Sequence, residues 1–108
     1  MASRDELRRE VDRLIDQVRH WTPAKWAAAA AGAPDRSRGD LVHDLVQRLA
    51  DRCAQAEGEP RRPVPRLDND LALVDQLRVI AADLAAARPA EDVIASALAE
   101  VVAVRRML

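Results

Sequence analysis

An all-α fold follows from three features of the 108-residue chain. Apolar residues recur at intervals of three and four along four long segments, capping residues stand at the heads of most of those segments, and no segment alternates with the period of two that a half-buried strand needs. The expected architecture is an antiparallel four-helix bundle with an additional short helix near residues 23–31, in one domain over residues 1–108.

The first helix is expected from about residue 4. Ser3 and Glu6 have the spacing of a capping box, and Leu7, Val11, Leu14, Ile15 and Val18 then form one stripe, with Trp21 at its edge. Arg8, Arg9, Asp12, Arg13, Asp16 and His20 fall largely outside that stripe. Thr22-Pro23 is a fresh N-cap with proline at the first helical position, opening a short helix that Gly32 closes and that Trp26 anchors. After the loop Ala33-Pro34-Asp35-Arg36, Ser37 with Asp40 caps a helix running to Glu57 and stopped by Gly58. Its apolar face is Leu41, Val42, Leu45, Val46, Leu49, Cys53 and Ala56.

The segment GEPRRPVPRLDNDL, residues 58–71, carries three prolines and three arginines within seven positions. Pro60 and Pro63 satisfy the bare spacing of a polyproline ligand, but Pro65 stands where a basic residue is favoured. The segment reads as a stiff crossover, with Asp68 or Asp70 capping the next helix. In that helix Leu73, Val74, Leu77, Ile80, Ala81 and Leu84 make the main stripe, while Leu71 and Val79 lie elsewhere and point to contact on a second side. Arg88-Pro89 breaks the chain, and the last helix aligns Val93, Ile94, Ala97, Leu98, Val101, Val104 and Leu108.

Composition narrows function. The formal net charge of −1 gives no overall field toward nucleic acid or an anionic membrane, so neither is an expected partner. The start is charged without an apolar run, and no stretch has the length of a membrane span, which places the protein in the cytoplasm. Sixteen arginines against a single lysine, with abundant alanine, suggest a GC-rich bacterial genome. Of the apolar residues 22 are Ala, and there is no Phe or Tyr, so the core is short of bulk and a second copy is a natural way to complete it. Cys53 stands alone on an apolar face and is expected to be a packed, inert thiol.

Chemistry has few candidates, and no cofactor is expected. Asp40, His43 and Asp44 share one helix flank at i, i+3 and i+4, a spacing that supplies at most a partial metal site; a solvated flank is the preferred reading. Ser37 and Ser96 sit in no nucleophile pattern, and the three glycines form no phosphate loop. Arg36, Arg38, Arg61, Arg62 and Arg66 concentrate positive charge in two loops, where Arg61, Arg62 and Arg66 are candidate contacts for a partner.

The run WTPAKW followed by SRGDLVHDLVQRLAD resembles the early part of DinB-like four-helix proteins, which include mycothiol-dependent maleylpyruvate isomerases. The likeness covers residues 21–51. In that family a helix histidine is a metal ligand, joined by two more on a later helix. Here His43 stands one position early and no histidine follows it, so the resemblance implies a related bundle without the metal centre. Two functions are left. The first is a non-enzymatic module that binds a protein partner or itself, with Leu71 and Val79 among its contacts; the second is a reduced DinB-like protein using His43 for a metal or a thiol.

Overall fold

The computed structural model describes residues 2–108. Helix α1, Arg4–Val18, starts where the Ser3 hydroxyl accepts the Glu6 amide, 3.1 Å away. Its whole expected stripe is buried, and Glu10 is buried with it. Helix α2 is Pro23–Ala27, capped by Thr22 accepting from the Lys25 amide.

α2 is shorter than expected. At Ala28 the backbone turns extended, with ψ of 156°, and Ala29–Ala30 (β1) pairs antiparallel with Ala33–Ser37 (β2) in a two-stranded sheet. The residues expected to finish the helix and the loop after it therefore form a hairpin. The physical reason lies in long-range hydrogen bonds: Ala28 carbonyl accepts the Arg38 amide at 3.0 Å, and the Gly32 amide donates to the Met107 carbonyl at 2.9 Å. Alanine favours helix only weakly against such contacts, and a helix continued through Ala31 has no large side chain to bury. Gly32 is required at the turn, because a Cβ there would stand 2.9 Å from Met107 Cα.

Helix α3, Arg38–Glu57, follows directly, capped by the Ser37 hydroxyl and closed by Gly58 at φ 68°. Leu41, Val42, Leu45, Val46, Leu49 and Cys53 are buried; Ala56, in the last turn, is exposed. Helix α4 is Ala72–Ala86 and helix α5 is Glu91–Met107. Neither Asp68 nor Asp70 caps α4: its N-cap is Leu71, whose amide donates to Asn69 Oδ1, while the Asp70 carboxylate is taken by Arg66 at 2.6 Å. Between α4 and α5, Arg88 sits at φ 49°, the left-handed conformation that closes the helix before Pro89.

α1 packs on α4 and α5, and α3 packs on the same two helices. The side chains that meet define the directions. Arg4 reaches the Ala85 carbonyl, so α1 and α4 are antiparallel; Arg48 and Arg52 meet Glu100 while Arg38 meets the Leu108 carbonyl, so α3 and α5 are antiparallel as well. α3 and α4 depart from the antiparallel expectation. Asp70 lies beside Gly39, and Val46 lies across a groove from Gln76 and Ile80, so the two helices run the same way. Residues 59–71 make this arrangement by returning along the length of α3.

The core joins the stripes of all four long helices, and Trp26 of α2, which is fully buried, packs into it. Trp21 lies at the edge, its ring centroid 5.1 Å from that of Trp26 in an edge-to-face contact, with Lys25 and Arg38 over its ring. Among the described residues no helix is long and apolar enough to cross a membrane.

Candidate interaction surface

The return segment has an extended, proline-rich backbone that makes no hydrogen bonds to itself, so its polar groups need partners elsewhere. Helix α3 supplies them from its polar flank. Gln47 Oε1 accepts the Val64 amide at 2.7 Å while its Nε2 donates to the Arg62 carbonyl at 3.0 Å. His43 Nε2, one turn back, stands 3.0 Å from the Val64 carbonyl and donates to it. From the other side, Gln76 Nε2 on α4 donates to the Pro65 carbonyl at 3.2 Å. Arg66 closes the strap by pairing with Asp40 and Asp70.

Each of the residues considered for a metal is therefore engaged separately. Asp40 holds Arg66, His43 holds the Val64 carbonyl, and Asp44 holds Arg36 of β2 at 2.7 Å, an ion pair that raises the Arg36 pKa. Among the described residues no three His, Cys, Asp or Glu side chains come together to hold a metal. Cys53 is buried, and its thiol donates to Glu57 Oε1 at 2.8 Å. Burial, reinforced by that carboxylate, pushes the thiol up to about 12.

The arginines of the segment do not converge. Arg66 is tied down internally; Arg62 contributes its carbonyl; Arg61 lines a polar cleft with Arg48, Arg52 and Glu100. Two of those arginines already share the Glu100 carboxylate.

What the strap builds is apolar. Val64 is held down as one wall of a groove whose other walls are Val79 and Ile80 of α4 and whose floor is Val46 of α3. The groove measures about 330 Å³, at the lower end of the range for sites that hold a small ligand or an anchoring side chain. Val79 is 61% exposed, and Leu71 at the head of α4 and Leu67 in the strap are 44% and 46% exposed. Gln76, which also lines the groove, has a buried Oε1 with no hydrogen-bond partner. No family model, curated protein or solved structure matched the chain.

Sequence inspection singled out Leu71 and Val79 because they leave the main stripe of α4. It missed Gln47 and Gln76, and the only signal for them was their place on helix flanks facing a proline-rich stretch with few amides of its own. Glu10 was also missed: it is buried between Arg13 of its own helix and Arg105 of α5.

Proposed function

We propose that this chain is a non-enzymatic protein-interaction module: a four-helix bundle serving as scaffold, with the groove between the strap and α4 and the adjoining outer face of α4 as its docking surface. The observation that carries this reading is the solvent-open groove of Val46, Val64, Val79 and Ile80, edged by the exposed Val79. Exposed apolar area of this kind is stabilised by covering it. The ring of packing partners around α1, α4, α3 and α5 supports the bundle, and the engagement of His43, Asp40 and Asp44 in structural contacts supports a scaffold role.

A display selection with amphipathic helical peptides tests it. Peptides enriched on the wild-type protein are expected to lose at least about tenfold in affinity on Val79→Asp, since a buried unpaired carboxylate costs several kcal/mol. A wild-type protein that enriches no peptide, or peptides that bind Val79→Asp equally well, would remove the groove as a docking site.

A further inference from the structure

We infer that the outer face of α4 takes a second copy of this chain, docked as an antiparallel α4–α4 pair about a two-fold axis. This names the partner for the interaction reading above and rests on it. Leu71, Asp75, Arg78 and Ala82 recur at spacings of four, three and four, which is the pattern of one helix-pairing seam. All four are exposed, and the seam lies on the side of α4 turned away from the core residues Leu73, Leu77 and Leu84.

The seam is complementary to itself in one register. With the axis between Gln76 and Leu77, Leu71 faces the partner's Ala82 and Asp75 faces the partner's Arg78, and each pair occurs twice. Large meets small and negative meets positive, which is what an isologous interface demands of a single surface. A register centred on Asp75 instead would set two carboxylates face to face, so the charges select against it. Within one chain Asp75 and Arg78 make only a loose i, i+3 pair of 3.5 Å, with side chains 80% and 54% exposed, and both are free to turn toward a partner.

Charge exchange tests the register. Sedimentation velocity from about ten micromolar to about half a millimolar should show wild-type dimer forming with concentration. Asp75→Arg and Arg78→Asp should each weaken self-association at least about tenfold, because each places like charges opposite one another. An equimolar mixture of the two should associate as a heterodimer, and the double variant D75R/R78D should recover the homodimer. The double variant also decides the matter should either single variant lose helical content, since it keeps an intrahelical pair with the signs exchanged.

A wild type that stays monomeric throughout, a single variant that associates as tightly as wild type, or a mixture and double variant that fail to recover association would overturn the inference. A monomeric wild type whose groove still selects peptides would exclude only the second copy as occupant. Failure of both experiments would remove the surface.

Discussion

Cys53 illustrates how one side chain acquires its properties from its neighbours. The sequence places it on an apolar face; burial and Glu57 then hold it as a neutral thiol. A thiol reagent at pH 8 should modify the folded protein at least about 100-fold more slowly than the urea-unfolded chain, because the thiolate is the reacting form. The same shift fixes a pH dependence. A raised folded-state pKa favours the protonated form, so its stabilisation is complete below the unfolded thiol value of about 8.5 and is lost as pH rises toward about 12. Cys53→Val should therefore flatten the fall in denaturation midpoint above about pH 9, as chemical denaturation across that range would show. At His43 the sequence favoured a solvated flank over a metal or thiol role, and the Val64 carbonyl 3.0 Å away gives the half-buried ring a structural partner instead.

At the scale of elements, the strap depends on a few side-chain contacts. Gln47→Ala removes two hydrogen bonds to it and should lower stability by about 1–3 kcal/mol in urea titrations. Trypsin should also cleave that variant faster than wild type at Arg61 and Arg66, where the strap loosens. At the hairpin, Gly32→Ala meets the backbone of Met107, which cannot swing aside as a side-chain tip does; a cost of about 1–3 kcal/mol is expected by thermal melting. Arg88 is the opposite case. Its left-handed φ of 49° is one that glycine adopts freely, so Arg88→Gly should raise stability by up to about 1 kcal/mol. Caps and stops set by neighbouring residues were legible: Ser3, Thr22, Ser37 and Gly58 each act where expected. The end of α2 and the cap of α4 were not, because Met107, Arg38 and Arg66 compete for those backbones and carboxylates from far along the chain.

Across the whole molecule, α5 is tied on two sides by charge. Glu10 of α1 accepts from Arg105, and Glu100 accepts from Arg48 and Arg52 of α3. These ties should differ in strength, since Glu10 is buried while Arg48 is about half-exposed. Arg105→Ala should cost about 1.5–3 kcal/mol by leaving a buried carboxylate short of a donor. Arg48→Ala should cost under about 1 kcal/mol because Arg52 keeps Glu100 paired. Thermal unfolding of the two variants side by side checks the ordering.

The long helices, their buried stripes and most of their ends were determined by the sequence alone, because helical periodicity, capping and glycine stops act over a few neighbouring residues. Leu71 and Val79 were legible in the same way, as apolar residues outside the main stripe. Only the tertiary structure decided that α2 gives way to a hairpin, that α4 runs parallel to α3, and that Val64 is pinned beside Val79 to open a groove. Each of these depends on hydrogen bonds and ion pairs between residues far apart in the chain, whose partners no local pattern specifies.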